Sequence, residues 1–121
     1  MDADDEALGK EMRMKDLTEI TPKVRERVLR RDSYDDHPCC QYCGSPYNIE
    51  VHHLVERSRG GMGIEQNLIC LCTRCHQRLH SGEREIKVFC EDYLHNLYPD
   101  YTERDLIYRK EDYESHSNKS R

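Results

Sequence analysis

Four cysteines stand in two pairs, and the members of each pair are separated by two residues: Cys40 with Cys43, and Cys72 with Cys75. Gly44 follows the first pair and permits the left-handed turn that directs both sulfurs to one point. Four thiolates at this spacing suit a tetrahedral structural zinc, and such a site contributes directly to folding. We therefore predict a structural Zn²⁺ bound by these four cysteines. A rubredoxin-like iron site or another redox use of the paired thiols is the alternative.

Imidazole and amide side chains form a second group between and after the cysteine pairs: His52, His53, Asn67, His76 and His80. On a helix, His76 and His80 lie one turn apart and share a face. Cys75 lies about 100° around that helix from His76, so one short helix presents sulfur to one metal and imidazole to a second. Consecutive strand residues face opposite sides, so His52 and His53 cannot share one role.

The chain around these residues predicts a strand, a loop, a second strand and a helix. β-Branched and apolar residues over 49–55 predict the first strand. A glycine-rich loop follows, and a second short strand leads into the second cysteine pair. Thr73 is the predicted N-cap of a helix that ends at about His80, before Gly82. This arrangement brings both groups of ligands close to one helix.

Helices are predicted on both sides of this unit. Thr21 followed by Pro22 predicts the start of a helix that runs to about Arg31. Apolar residues at helical spacing predict another helix over residues 86–97. Thr102 begins a capping-box pattern, which predicts a last helix after it.

Composition predicts one small domain with a thin core. Of the 121 residues, 36% are apolar and 36% are charged, against about 25% charged in typical globular domains. Small domains that are short of buried area commonly depend on metals or disulfides. The charge is uneven, because residues 1–20 carry −4, residues 21–90 carry +2 and residues 91–121 carry −3. The net charge of −5 therefore does not exclude a phosphate partner.

These observations divide the chain into three predicted parts. Residues 1–20 are an acidic tail that we expect to be disordered. Residues 21–82 form the core with the structural zinc, and residues 83–121 form a C-terminal helical extension with a loose end. No apolar run approaches the roughly 18 residues of a membrane span, and the first residues do not resemble a signal peptide. We therefore expect no membrane partner and a reducing, cytoplasmic location.

Several of these residues occur in the order and spacing of a known motif: residues 50–54, 60–61, 67–69 and 71–76. Together with the cysteine pairs, this pattern closely resembles the HNH endonucleases over about residues 22–82. The resemblance implies an α+β fold, namely a small, zinc-stapled, treble-clef-like ββα-metal domain with flanking helices. It also implies a metal-dependent endonuclease of a bacterial or phage-infected cell that hydrolyses DNA phosphodiester bonds.

The resemblance assigns roles to single residues. His53 matches the general base of that family, and Asn67 matches the asparagine that orients it. His52 and His76 match metal ligands, and similarity to the colicin-type nucleases makes His80 a candidate third ligand. Because His52 stands where the family often has an aspartate, the site loses a negative charge, which favours Zn²⁺, Ni²⁺, Co²⁺ or Mn²⁺ over Mg²⁺. The catalytic divalent ion therefore stays open among Mg²⁺, Mn²⁺, Ni²⁺ and Zn²⁺.

Four arginines flank the motif and are candidate DNA phosphate contacts: Arg57, Arg59, Arg74 and Arg78. Such contacts position a nucleic acid without reading its bases. We therefore expect a DNA partner, weak sequence preference and no small-molecule substrate. The C-terminal helices offer a surface for a protein partner.

Two other functions compete with the nuclease. In the first, the four-cysteine zinc site builds a catalytically inactive module that binds nucleic acid or protein, and the histidines only pack. In the second, the cysteine pairs belong to a thiol redox protein, although the sequence lacks the βαβ pattern of thioredoxin-like folds.

Overall fold

A computed structural model describes residues 14–108 of the chain. Its helices are α1 (Met14–Thr18), α2 (Pro22–Arg31), α3 (Thr73–His80) and α4 (Arg84–Leu97). Its strands are β1 (Ser33–Tyr34), β2 (His37–Pro38), β3 (Ile49–His53) and β4 (Leu68–Cys72), with single 3₁₀ turns at Arg57–Arg59, Glu65–Asn67 and Glu103–Leu106. The predicted α+β class is confirmed. Within the described residues, no helix combines the length and the apolar character that crossing a membrane requires.

The hairpin of β3 and β4 is the centre of the fold. The strands pair antiparallel, with His53 opposite Leu68 and Ile49 opposite Cys72. Consecutive β4 residues face opposite layers, as a pleated strand requires. On one face Leu68 packs in a cluster with Val28 of α2, and on the other face the core includes residues from α3 and α4. Both faces of β4 are therefore buried.

Helix α2 begins as predicted. The Thr21 side chain accepts a hydrogen bond from the Val24 backbone N–H at 3.2 Å, and Pro22 occupies the first turn. Backbone N–H groups in the first turn of a helix have no partner within the helix, and Pro22 lacks this group. Its ring also fixes a helical φ angle. The cap therefore sets the start of the helix that covers one face of the hairpin.

The prediction that residues 1–20 are disordered is wrong for the part that the structure describes. Residues Met14–Thr18 form α1, and Thr18 is buried. The Gly63 N–H donates to the Leu17 carbonyl at 2.9 Å. This contact joins segments far apart in sequence, which local composition does not reveal. Residues 1–13 lie outside the described range.

Two other helix predictions need correction. The N-cap of α3 is Cys72 rather than Thr73, because the Cys72 sulfur accepts a hydrogen bond from the Cys75 N–H at 3.5 Å. The capping box at Thr102 is confirmed, but it begins a single 3₁₀ turn at Glu103–Leu106 rather than an α-helix. After that turn, Ile107 pairs with Gly61 in an antiparallel bridge. The chain beyond residue 108 lies outside the described range.

A buried carboxylate joins three elements of the core. Asp32, at the end of α2, accepts two hydrogen bonds from Arg31 at 2.8 and 3.0 Å. It also accepts one from the Cys70 N–H of β4 at 2.9 Å and one from the Tyr93 hydroxyl of α4. Its side chain is fully buried. Asp32 therefore fixes α2 and α4 against β4.

Replacing Asp32 by alanine should lower the free energy of unfolding by about 3–5 kcal/mol, because it leaves the Arg31 charge unpaired in a poorly solvated site. Urea denaturation of the zinc-loaded protein measures the loss. Glu26→Ala is the control, since the exposed Glu26–Arg30 pair (2.9 Å) contributes only about 0.3–0.5 kcal/mol. Equal losses in the two variants would contradict this assignment.

Candidate active site and zinc frame

The four predicted zinc ligands come together. The sulfur atoms of Cys40, Cys43, Cys72 and Cys75 all lie within 4.8 Å of one another. The sulfurs of Cys43 and Cys72 are 3.7 Å apart, close to the edge of about 3.8 Å in a tetrahedron with Zn–S bonds of about 2.3 Å. These four cysteines form the cysteine frame.

Local turns prepare the frame for a metal. Gly44 adopts a φ of 83°, in the left-handed region that glycine reaches without strain. The Cys40 sulfur accepts a hydrogen bond from the Cys43 N–H at 3.4 Å. Burial by itself raises the pKa of the Cys40 thiol. Hydrogen bonds from backbone N–H groups outweigh burial and lower this pKa to about 7. The thiolate is the form that binds zinc.

A second group of donors forms on the other side of α3. The rings of His52 and His76 stack with their centroids 3.3 Å apart. The Glu50 Oε1 atom lies 3.0 Å from His52 Nε2 and 3.9 Å from His76 Nδ1. Sequence reasoning missed Glu50 as a donor, although its two-residue offset from His52 places both side chains on one face of β3. We call Glu50, His52 and His76 the mixed donor group.

His80 does not belong to the mixed donor group, whose donor atoms lie within 4.8 Å of one another. Its ring centroid is 4.7 Å from that of His76, and its Nδ1 atom lies 3.3 Å from Glu56 Oε2. The structure therefore brings together two of the three predicted histidine ligands and pairs the third with a different carboxylate.

The two stacked histidines favour the neutral state. Burial lowers the pKa of His52 to about 4, and the nearby charge of protonated His76 adds to the effect. Burial also lowers the pKa of His76, and the nearby charge of His80 is the second-largest cause that lowers it. Neutral imidazole is the form that binds a metal ion.

His53 faces the opposite side of β3 from His52, as predicted. Its Nε2 atom lies 2.8 Å from the backbone carbonyl oxygen of Thr18. Because a carbonyl oxygen only accepts hydrogen bonds, Nε2 carries the proton and Nδ1 keeps a lone pair. Burial lowers the pKa of His53, and the Thr18 carbonyl opposes that shift. The ring is therefore held as a neutral base with one fixed tautomer.

Asn67 is fully buried and ties the loop after β3 to the chain that follows it. Its Oδ1 atom accepts from the Val55 N–H at 2.9 Å. Its Nδ2 atom donates to the carbonyls of Val55 at 3.2 Å and Met62 at 2.9 Å. The Asn67 carbonyl accepts from the Leu54 N–H at 2.8 Å. These contacts fix the backbone that follows His53 and do not include its ring.

Changing Asn67 to aspartate should destabilise the domain strongly, because a carboxylate replaces the amide donor and faces two carbonyl oxygens. Each buried group left without a partner costs about 1–3 kcal/mol, and more when the group is charged. Urea denaturation provides the measurement. The same amide-to-acid change at the neighbouring Gln66 is the matched control, with an expected effect within about 0.5 kcal/mol. A mild effect at Asn67 would contradict its role in holding the loop.

His53 and the stacked pair of His52 and His76 line one groove, which has a volume of about 490 Å³. Its lining includes His52, His53, His76, His80, Arg57, Arg59 and Lys87. Lys87 comes from α4 and was not predicted, since only the packing of α4 on the hairpin brings it here. The groove thus combines the stacked histidines, the His53 ring and three basic side chains.

The other two predicted DNA contacts lie away from this groove. Arg74 and Arg78 are each two residues from His76, about 200° around the helix, so they face the opposite side of α3. Arg78 pairs with Glu83 at 2.9 Å and lies over the Tyr42 ring at 5.4 Å. The structure therefore brings Arg57 and Arg59 to the groove and leaves Arg74 and Arg78 outside it.

Comparison with known proteins places this arrangement in a family. The sequence model described as HNH endonuclease matches residues 40–82, which hold the cysteine frame and the mixed donor group. Anaredoxin from a Nostoc species is 33% identical over 67 residues, covering 54% of this chain and 83% of that protein. The chain belongs to the HNH endonuclease family. We refer to it below as the HNH protein.

Two nucleases are similar to parts of the HNH protein. The type IV methyl-directed restriction enzyme EcoKMcrA of Escherichia coli is 46% identical over 37 residues, which are 31% of this chain and 13% of that enzyme. The CRISPR-associated endonuclease Cas9 of Corynebacterium diphtheriae is 38% identical over 58 residues, which are 44% of this chain and 5% of Cas9. The matched region is therefore a small part of either relative.

A solved structure supports the fold. The type IV phosphorothioation-dependent restriction endonuclease ScoMcrA superimposes with a TM-score of 0.52 and 22% identity. The alignment covers 81% of the HNH protein and 24% of the ScoMcrA chain. The shared fold thus extends beyond residues 40–82 into the flanking helices.

Proposed function

We propose that the HNH protein is a metal-dependent endonuclease that hydrolyses phosphodiester bonds in DNA. His53 acts as the general base, and His52 and His76 hold the divalent ion, with His80 beside them. The observation that carries the proposal is the groove in which the oriented His53 ring and the stacked His52–His76 pair lie together. Zinc occupies the cysteine frame in this proposal and has a structural role.

The donors present fit a divalent transition metal. Imidazole nitrogens suit Zn²⁺, Ni²⁺, Co²⁺ and Fe²⁺, and a nearby carboxylate extends the range to Mn²⁺ and Mg²⁺. A bound cation supplies charge stabilisation to the phosphoryl oxygens and to the departing 3′ oxygen. Burial keeps His52 and His76 neutral, so both rings are ready to donate their lone pairs.

The His53 ring performs the proton transfer. Its Nδ1 atom takes a proton from a water molecule as the water oxygen forms its bond to phosphorus and the P–O3′ bond breaks. The Nε2–H group stays bonded to the Thr18 carbonyl, which holds the ring in place and stabilises the imidazolium that forms. The departing oxygen takes a proton from solvent. Positioned bases of this kind contribute about 10²–10⁴-fold to rate.

The basic side chains of the groove bind the DNA backbone. Arg57, Arg59 and Lys87 line it together with one acidic side chain, Glu56. Arginine and lysine bind phosphate oxygens through charge-assisted hydrogen bonds, which carry no information about base identity. DNA is therefore the proposed partner, and binding through this groove has little sequence preference.

Incubation of supercoiled plasmid with the zinc-loaded protein and single divalent metals tests the function. We expect nicked or linear product with at least one of Mn²⁺, Ni²⁺, Co²⁺, Zn²⁺ or Mg²⁺. EDTA should stop cleavage at a concentration that leaves the structural zinc bound, as checked by metal analysis. Plasmid that is bound but left intact with every metal would support the inactive zinc module instead. One iron per chain in place of zinc would support the redox alternative.

A further inference from the structure

The mixed donor group contains a carboxylate that the HNH motif does not assign. Glu50 precedes the two consecutive histidines on β3, and its Oε1 atom lies 3.0 Å from His52 Nε2 and 3.9 Å from His76 Nδ1. Two neighbouring residues on one face of β3 and one residue of α3 thus bring one oxygen and two nitrogens close together. All three donor atoms lie within 4.8 Å of one another.

We propose that Glu50 is the third protein ligand of the ion, so that the site is a two-histidine, one-carboxylate set from which His80 is excluded. This inference rests on the proposed function, because it concerns the same ion. It replaces the three-histidine set predicted from the sequence with one that carries a negative charge.

The surroundings of Glu50 leave its carboxylate free for this role. Its side chain is 54% exposed, and the interactions found for it in residues 14–108 are those with His52 and His76. No arginine or lysine of the described chain forms an ion pair with it. Glu65, by contrast, is held by Arg27 at 2.8 Å. A carboxylate whose only partners are metal-binding rings is arranged to receive a cation.

His80 is occupied elsewhere. Its Nδ1 atom faces Glu56 Oε2 at 3.3 Å, and Glu56 belongs to the loop after β3 rather than to the strand. The ring of His80 meets that of His76 at 67°, whereas His52 and His76 are within 21° of parallel. The His80–Glu56 pair is therefore a separate feature of the groove wall.

The carboxylate changes the charge and the ion preference of the site. The family's aspartate is replaced here by neutral His52, and Glu50 restores one negative charge 3.0 Å from the His52 ring. Sets of two histidines and one carboxylate leave coordination positions open for a substrate oxygen and water. Carboxylate oxygen also suits harder ions, so Mn²⁺ becomes a better occupant than a set of three imidazoles would allow.

Titration of the zinc-loaded full chain with Mn²⁺, followed by the EPR signal of the free ion, tests the inference without any cleavage assay. We expect Glu50→Gln to weaken Mn²⁺ binding at least tenfold, since even outer hydrogen-bond partners of metal ligands change affinity by about 10–100-fold. Glu50 is exposed and glutamine has the same shape, so thermal unfolding should be unchanged. Cleavage by this variant should recover when Mn²⁺ is raised to saturation.

Glu56→Gln and His80→Ala are the matched controls, and each should leave Mn²⁺ affinity within about threefold of the parent. If Glu50→Gln and Glu56→Gln weakened Mn²⁺ binding equally, the loss would come from removing any nearby negative charge and not from removing a ligand. That result would overturn the inference. Weakening by His80→Ala with normal binding by Glu50→Gln would assign the third position to His80. Absence of Mn²⁺ binding by the parent protein would also overturn the inference. Mn²⁺ binding that depends on Glu50 but yields no DNA cleavage would refute the proposed function alone.

Discussion

Replacing His53 by glutamine should slow plasmid cleavage by about 10²–10⁴-fold at saturating metal, the contribution expected of a positioned general base. Glutamine can still donate a hydrogen bond to the Thr18 carbonyl, so the contact at 2.8 Å has a substitute. What the variant loses is the nitrogen lone pair that accepts a proton from water. Initial rates of supercoiled plasmid loss at several Mn²⁺ concentrations measure the effect.

The zinc content, Mn²⁺ affinity and unfolding temperature of the His53 variant should match those of the parent. His37→Gln is the control, because the His37 side chain lies exposed on β2 and the hydrogen bond found for its ring is to the neighbouring Pro38 carbonyl. Cleavage that survives His53→Gln at the parental rate would rule out His53 as the base. A loss at His37 of similar size would point to a general effect of removing imidazoles.

Removal of the zinc proposed for the cysteine frame should unfold the protein at 25 °C. Apparent zinc-binding free energies in zinc-finger peptides are about 10–16 kcal/mol at neutral pH, as large as the whole stability of about 5–15 kcal/mol typical of folded domains. Of the eight buried residues in the core cluster around Cys72 and Cys75, three are frame cysteines and a fourth is Cys90, and the large aliphatic ones are Ile69, Leu71, Ile86 and Leu94. Circular dichroism during titration with a strong chelator should show loss of helix in proportion to zinc removed.

Neighbouring cysteines provide a matched pair for this test. Cys40→Ser removes a frame ligand and should abolish stoichiometric zinc binding and folding. Cys39→Ser changes a half-buried thiol that donates to the His37 carbonyl, and serine can make the same bond, so zinc and fold should be retained. A Cys40→Ser protein that stays folded without zinc would show that the frame is dispensable for stability.

Features that depend on the spacing of residues along the chain could be predicted from the sequence. The paired cysteines, the two strands and the helix that follows them appear as expected, because ligand spacing and local caps depend on near neighbours. The same holds for the Thr21 cap, where one side chain and a proline determine the start of α2. The roles of the histidines were inferred from the order of a known motif and stay predictions, whereas the family that the motif indicated is confirmed.

Features that depend on contacts between distant segments could not be predicted. Lys87 reaches the groove only because α4 packs on the hairpin. Arg74 and Arg78 are a different case, because the helical period alone predicts that they face away from His76. The sequence contained one weak indication that Glu50 is a donor, namely its two-residue offset from His52 on a predicted strand. The Thr18 carbonyl left none, since a backbone oxygen has no side-chain signature.

The bond between Thr18 and His53 has a practical consequence for work with this fold. The portion that matches the family model, residues 40–82, contains His53 but lacks the Thr18 carbonyl that its ring contacts. A fragment trimmed to that portion, or grafted from it into another scaffold, would release the imidazole to rotate and exchange tautomers. Fragments that are to keep this contact of His53 therefore need to begin ahead of α1.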